Sequence, residues 1–389
     1  MRLRDIAGDQ NFKKRVAQMV QRGRIPHAIM YSSREGGGAL AFALATATLL
    51  VCKNKQDDDA CGKCDACLKA SHFVHPDIKF YFPSESGSEA ESDSGHHQLS
   101  AFRQALSMNP YMTGADWKEF LLKELDAKNK QLLIYKNQIT QIHRDARLKP
   151  MLAPVNVLII WLPELFHHAA IPKLLKILEE PPEDTIFILA SEDQINILPT
   201  ILSRVQIFRV PPINEMDLLE FLNNRQPMNG KELNKAGEIV NICDGNIAMA
   251  IKIMSEGEHT AFFPLFQAWM RACYSMNVPE MLQLIQNLEK LPREKQKNFL
   301  LFSLHIFREA NNRKKGNHEL AKTQPHEAAW LKKFEPALDE IMISDIRDNM
   351  EKTTFYLERN AVSRIVFLNL SLDIALAFRQ VQQRNRTAA

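Results

Sequence analysis

Five short apolar runs, His27–Tyr31, Asp77–Phe82, Val155–Trp161, Thr185–Ala190 and Gln206–Val210, recur along the first half of the chain. Most are rich in Val, Ile or Phe and nearly unbroken. A strand with one wet face alternates apolar and polar residues, so unbroken runs predict strands covered on both faces. Helical stretches such as Leu40–Cys52 and Ala170–Glu180 lie between them, the second stopped by Pro181 and Pro182. Alternating strands and helices predict an α/β fold with a parallel sheet between helical layers.

One segment interrupts this pattern. Ser84–Ser100 holds six Ser, two Gly and four acidic residues with no Lys or Arg, and is expected to be a solvated loop. Leu99–Lys130 reads as helices joined at Asn109-Pro110, so residues 84–130 look like one insertion in the sheet domain. After Pro211-Pro212 the strand signals stop. Met216–Asn224, Gly230–Cys243 and Asn246–Met254 read as short helices, with Gly245 placed to end the second. Phe262–Met276, Val278–Leu291, Glu294–Asn311, Glu327–Asn349 and Lys352 to near Gln383 read as longer ones. The expected domains are an α/β core over 1–212, a small helical lid over 213–257 and a helical bundle over 258–389, in keeping with a length of 389 residues.

Apolar residues at 45% and charged residues at 24% exclude a mostly disordered chain or a disulfide-dense miniprotein. A net charge of +3 is too small to argue for nucleic acid by itself. The opening MRLRDIAGDQNF has no apolar signal-peptide core, and the most apolar stretch, Ala39–Val51, is 13 residues long, too short to span a bilayer. A cytoplasmic protein with no membrane partner is expected.

Four of the six cysteines cluster as Cys52-x8-Cys61-x2-Cys64-x2-Cys67. Four thiolates so close can close a tetrahedral site around structural Zn²⁺, leaving no position open for a substrate. An iron–sulfur site would want a further Cys where Ser71 stands. His72 or His75 is an alternative fourth ligand to Cys52. Cys243 and Cys273, alone in helical patterns, read as core residues.

Ser33-Arg34-Glu35-Gly36-Gly37-Gly38-Ala39-Leu40 lies between a strand and a helix, where a phosphate loop belongs. A working loop is G-x-x-x-x-G-K-[ST]. Gly38 fits the second Gly, but Ser33, Ala39 and Leu40 replace the first Gly, the Lys and the hydroxyl. Gly36, Gly37 and Gly38 are therefore a vestigial loop with no expected cofactor. The strand Val155–Ile160 runs into Trp161-Leu162 where a Mg²⁺-holding Asp would stand, with Glu164 two residues on as a partial substitute. Little or no nucleotide hydrolysis is expected.

Read in order, Arg24-Ile25-Pro26-His27-Ala28, the four Cys, His75-Pro76-Asp77, Lys173–Pro182 and Leu198–Arg204 form one series. It resembles the bacterial clamp-loader AAA+ family of DNA polymerase III subunits. The likeness covers roughly residues 1–255, and the helical remainder fits the family's collar domain by length and class. The degenerate loop and missing acid favour a non-hydrolysing stator over the family's gamma/tau motors. The resemblance implies that Arg204, with Ser203 as its motif partner, reaches across a subunit boundary to ATP held by a neighbour. The family motif continues with Cys where Val205 stands here. Ser191-Glu192 and Asn246–Ala250 fall where active relatives carry an uncharged sensor and a sensor Arg. Implied partners are the gamma/tau motor and delta subunits, the sliding clamp indirectly, and primer–template DNA gripped by the whole ring. Two basic clusters, Arg144, Arg147 and Lys149, and Arg313-Lys314-Lys315, are candidate phosphate contacts or solvated helix ends. Rival functions are an active ATPase with an atypical loop and a zinc-dependent DNA-binding module outside replication.

Overall fold

The structure, a computed structural model, describes residues 1–56, 58–85, 94–124, 132–225, 236–237, 239–240, 243, 245–256, 262–316, 325–359 and 361–387. The chain divides into two compact units, one of Met1–Leu233 with Cys243–Lys252, the other of Asn234–Ile242 with Ile253–Ala389.

The first unit is built on one parallel sheet. Its strands are β1 (Ala28–Ser32), β2 (Ile78–Tyr81), β5 (Asn156–Trp161), β6 (Thr185–Ser191) and β7 (Gln206–Arg209), in the order β2-β5-β6-β1-β7. All five apolar runs are therefore strands, each within a residue or two of its expected bounds. β1, β5 and β6 are buried along their whole length, whereas the edge strands β2 and β7 are only partly buried. That distribution is why the central runs carry no polar alternation.

Helix α1 (Gln10–Gln21), capped by Asp9, precedes β1 and buries Phe12, Val16, Ala17 and Val20. Helix α2 (Ala39–Val51) starts at Gly38 and is buried at every position. A helix apolar all round belongs inside a core, which accounts for the most apolar stretch of the chain. Helix α3 (Asp65–Ser71) follows the third Cys.

The insertion differs from expectation at its start. Ser84–Glu85 (β3) pairs antiparallel with Leu132–Leu133 (β4), closing its base. Helix α4 (Ser94–Met108) begins inside the polar stretch expected to be loop, and helix α5 (Gly114–Glu124) follows. The buried face Ala101, Phe102, Ala105, Leu106 anchors α4 to the core, and extending the helix toward Ser94 adds about one backbone hydrogen bond per residue. Residues 86–93 of the expected loop and 125–131 lie outside the described residues.

Helix α6 (Lys136–Ala146) leads into β5, α7 (Ile171–Glu179) into β6, and α8 (Pro199–Leu202) into β7. Helix α9 (Glu215–Arg225) and helix α10 (Ile247–Glu256) follow; most of the helix expected over Gly230–Cys243 lies outside the described residues.

The second unit is helical: α11 (Phe262–Ser275), α12 (Val278–Glu289), α13 (Arg293–Lys314), α14 (Pro325–Phe334), α15 (Glu340–Glu358) and α16 (Ser363–Thr387). The single helix expected over Glu327–Asn349 is two. Pro336 removes an N–H and interrupts α14, and Asp339 caps α15 by accepting the Met342 N–H at 2.7 Å. Likewise the helix expected from Lys352 to Gln383 divides after Glu358 and resumes at Ser363. The core packs Phe266, Trp269, Phe299, Phe307, Ile374 and Phe378, and Trp269 donates its indole N–H to Ser371 Oγ at 2.8 Å. Ser363–Arg384 is long and apolar enough to cross a bilayer, but Phe367, Leu370, Ile374, Ala375, Phe378 and Val381 lie buried in this core.

Candidate functional site

In an open parallel sheet, ligands bind beyond the carboxyl ends of strands where the strand order reverses. Here the chain leaves β1 for the far edge, returns through β5 and β6, and passes over β1 to β7. The crevice between β1 and β6 is that position, and the glycine loop, Trp161-Leu162, Glu164 and Ser191-Glu192 all gather there.

The glycine loop has the shape of a phosphate loop with two of its donors engaged within the loop. Gly36 and Gly38 have φ of +68° and +97°, which a side chain would strain. Gly37 N–H bonds to Arg34 O at 2.9 Å, and Ala39 N–H bonds to Ser33 Oγ at 3.3 Å. Ala39 and Leu40 are buried and offer neither the cation nor the metal-binding hydroxyl. Above Gly36 stands Asn246, whose Oδ1 would lie 2.1 Å from any Cβ there, while Ile247 N–H donates to Gly36 O at 3.1 Å. Asn246 caps α10 through the Met249 N–H at 2.9 Å. The start of α10, lacking a sensor Arg, sits directly on the loop.

The other crevice residues are structural. Trp161 packs its indole against Phe102 of the insertion at 5.6 Å between centroids. Leu162, with φ of +55°, turns the chain out of β5. Glu164 Oε1 accepts the backbone N–H groups of Glu192 and Asp193 at 2.9 and 3.1 Å, so its carboxylate holds the end of β6. Burial pushes its carboxyl above the usual range, despite those N–H groups. Glu192 Oε2 accepts the Gly114 N–H at 3.4 Å. Burial, then the neighbouring Glu35 charge, holds the Glu192 carboxyl well above its ordinary range.

Arg204 lies at the opposite end of the strands. β7 pairs with β1 from Gln206 beside Ile29 to Arg209 beside Ser32, so Arg204 precedes the amino end of the strand whose carboxyl end neighbours the glycine loop. The strand alone interposes about 10 Å between them. Arg204 Nε donates to Glu179 Oε1 at 2.9 Å, and Nη2 donates to the same oxygen. Nη1 donates to Thr200 O at 2.8 Å and Ser203 Oγ at 3.0 Å. Ser203 therefore positions the guanidinium, and Val205 behind it is buried in the core. Glu179, at the end of α7, is a partner that the sequence reading assigns no role; the residues are 25 apart and only the fold brings them together.

The four cluster cysteines converge. All their sulfurs lie within 4.8 Å of one another, with Cys52 to Cys61 at 3.7 Å and Cys61 to Cys67 at 3.9 Å. Among the described residues neither His72 nor His75 joins the group; His75 Nδ1 instead accepts the Asp77 N–H at 3.2 Å. Backbone N–H groups point at the sulfurs, Lys63 and Cys64 onto Cys61 at 3.4 and 3.3 Å and Cys67 onto Cys64 at 3.5 Å. Burial raises the Cys64 thiol pKa, but N–H donors from Cys67 and Lys53 outweigh it and bring it to about 6. The group can hold a metal ion.

Asp77 of the His75-Pro76-Asp77 motif is also explained. Its two oxygens accept the N–H groups of Met151, Leu152 and Ala153 at 2.7, 2.7 and 2.8 Å, fastening the loop that enters β5. The basic clusters differ from each other. Arg144, Arg147 and Lys149 are exposed around the end of α6. Arg313 pairs with Glu335 at 2.6 Å and Lys314 bonds to Leu338 O, so that cluster serves packing within its own unit.

A family profile described as DNA polymerase III, delta subunit, matches residues 8–214, just over half of the chain. The chain is 23% identical over 242 residues to the DNA polymerase III subunit delta′ of Haemophilus influenzae, covering 62% of this chain and 59% of that one. It is 26% identical over 220 residues to subunit delta′ of Escherichia coli, 56% and 52% of the two chains. It is also 23% identical over 222 residues to subunit tau of Bacillus subtilis, 57% of this chain and 31% of tau. The chain thus spans about half the length, or less, of these curated relatives.

Proposed function

The chain belongs to the DNA polymerase III delta-subunit family, as a delta′-type clamp-loader subunit, and from that premise we propose that it is a non-hydrolysing stator. In this reading it braces a hetero-oligomeric ring with gamma/tau motor and delta subunits, within the DNA polymerase III holoenzyme of the cytoplasm. The ring places the sliding clamp on primer–template DNA. This chain touches the clamp and DNA only as part of the assembly, while ATP is bound by neighbouring subunits. Residues 1–212 serve as the AAA+ core, 213–257 as its lid and 258–389 as the collar.

The observation that carries this reading is the separation of two half-sites. The chain's own glycine loop lacks lysine and hydroxyl and is covered by Asn246. Arg204 is intact, half-buried and lies before the amino end of β7, away from the glycine loop at the carboxyl end of β1. From there it can neutralise charge on a phosphoryl group only in another subunit. The Cys sulfurs support structural zinc held by Cys52, Cys61, Cys64 and Cys67. Zn–S bonds of about 2.3 Å in a tetrahedron require sulfurs about 3.8 Å apart, which matches the 3.7 and 3.9 Å separations. The test is DNA- and clamp-stimulated ATP hydrolysis by a loader reconstituted with the same organism's motor subunits. Arg204→Ala, once shown to assemble, is expected to lower turnover by about 10³-fold or more; unchanged turnover rejects the trans role.

A further inference from the structure

The insertion has no part in the reading above, yet its central turn reaches the glycine loop. Tyr111, between α4 and α5, is 2% exposed. Its ring lies against Gly38, where a Cβ would stand 3.3 and 3.5 Å from Cε1 and Cδ1. The ring also meets Phe221 of α9 in an edge-to-face contact, with centroids 5.4 Å apart. The hydroxyl accepts the Ala7 backbone N–H at 3.0 Å. Tyr111 also lines a cleft of about 550 Å³ with Arg4, Lys13, Asp217 and Glu220. The ring is thus the wall between that cleft and the glycine loop.

The turn is fastened on every side. Tyr111 N–H bonds to Asn109 Oδ1 at 2.9 Å, and Thr113 and Asp116 cap the start of α5 reciprocally. Trp117 donates its indole N–H to Pro83 O at 2.8 Å, and Phe82 and Phe102 stack at 4.0 Å, with Trp117 edge-on to Phe102 at 5.4 Å. Lys252 of α10 reaches Glu119 at 2.8 Å and Asp116 at 3.4 Å, tying the insertion to the helix whose Asn246 covers Gly36. A mobile lid shows few buried contacts; this turn is buried and capped.

We propose that Tyr111 is an intramolecular occupant of the crevice: a planar aromatic ring carrying one hydrogen-bond acceptor, held against the glycine loop where a nucleotide would have to enter. The ligand class excluded is a purine nucleoside di- or triphosphate, whose flat base requires the cleft and whose phosphates require Gly36–Gly38. Tyr111 thereby acts as a specificity-determining residue. The inference deepens the stator reading and rests on it, since it adds steric exclusion to the missing phosphate ligands.

The experiment titrates the full chain with magnesium and N-methylanthraniloyl-ADP, comparing wild type with Tyr111→Phe, Tyr111→Ala and Tyr111→Leu. Wild type and Tyr111→Phe, which both keep the ring, are expected to show no saturable binding up to about 1 mM. Tyr111→Ala joins the cleft to the loop and is expected to bind at least about tenfold more tightly than wild type. If melting shows that Tyr111→Ala does not fold, Tyr111→Leu, which keeps apolar burial but not the ring, carries the same expectation. A folded Ala or Leu variant with no gain overturns the occupant role and leaves the stator reading standing, because the loop still lacks its lysine and hydroxyl. Wild type binding as tightly as Tyr111→Ala also overturns it. ATP hydrolysis by wild type alone overturns the stator reading as well.

Discussion

Changing Glu179 to Gln removes the charge opposite Arg204 while keeping an acceptor oxygen in place. The guanidinium meets Glu179 through Nε at 2.9 Å and through Nη2, and is held besides by Thr200 O at 2.8 Å and Ser203 Oγ at 3.0 Å. The two side chains are 31% and 49% exposed, so the pair is a surface pair, worth about 0.2–1 kcal/mol. Withdrawing Arg204 from Glu179 then costs at most about 1 kcal/mol, a factor of about five in the population of free finger. A trans finger contributes about 10³–10⁵ in rate, or about 4–7 kcal/mol. In the stator reading, then, the local pair is too weak to hold the arginine away from a neighbour's phosphate, and Glu179 would be a resting partner for it. Glu179→Gln in the reconstituted loader is therefore expected to change stimulated ATP turnover by no more than about fivefold. The effect should shrink further as salt rises and screens the pair. A loss comparable to that of Arg204→Ala would refute the reasoning by showing that Glu179 aims the finger. A gain of about 50-fold or more would refute it from the other side, by making the pair a latch.

The remaining predictions concern Asp77 and the cysteines. Asp77 is 1% exposed, and burial would raise its carboxyl, but the N–H groups of Met151, Leu152 and Ala153 outweigh that and hold it below the usual range. Asp77→Asn places an amide nitrogen against one of those N–H groups and is expected to cost about 2–3 kcal/mol at pH 7, read as a lower urea midpoint with unchanged slope. Because the folded pKa is depressed, this contribution is fully present above the unfolded value of about 4 and is lost as pH falls through the folded value, so wild type and variant converge in acid. An unchanged midpoint at pH 7 would contradict it. Purified protein is expected to contain one zinc per chain, and chelation or Cys67→Ser to lower the melting temperature together with the zinc content; metal-free protein that melts as before would contradict a structural site.

The strands, the cysteine group and the degenerate glycine loop are legible in the sequence because each rests on local chemistry, whereas Arg204 stands out only through the family resemblance. β1, β5 and β6 are unbroken apolar runs because both their faces are covered. The loss of lysine at Ala39 is visible in one residue, and the cysteine spacing already limits which thiols can meet. Helix ends follow the same rule where the signal is strong, as at Pro181-Pro182, but Pro336 within a helical pattern shows that a single proline can divide an element that periodicity alone would join.

The partners of these residues belong to the tertiary structure. Trp161 in place of an acid reads as a loss, and only the packing reveals that it anchors Phe102 of the insertion. Tyr111 carries no motif at all, and it acquires a role because α4 and α5 deliver it to Gly38 and Ala7, 73 and 104 residues earlier in the chain. Arg204 and Glu179 meet because α7 and α8 lead into strands on either side of β1. Backbone propensity and apolar periodicity act over a few residues and are written in order along the chain. Which loops share a crevice depends on strand order, and strand order is set by the burial of surfaces far apart in sequence.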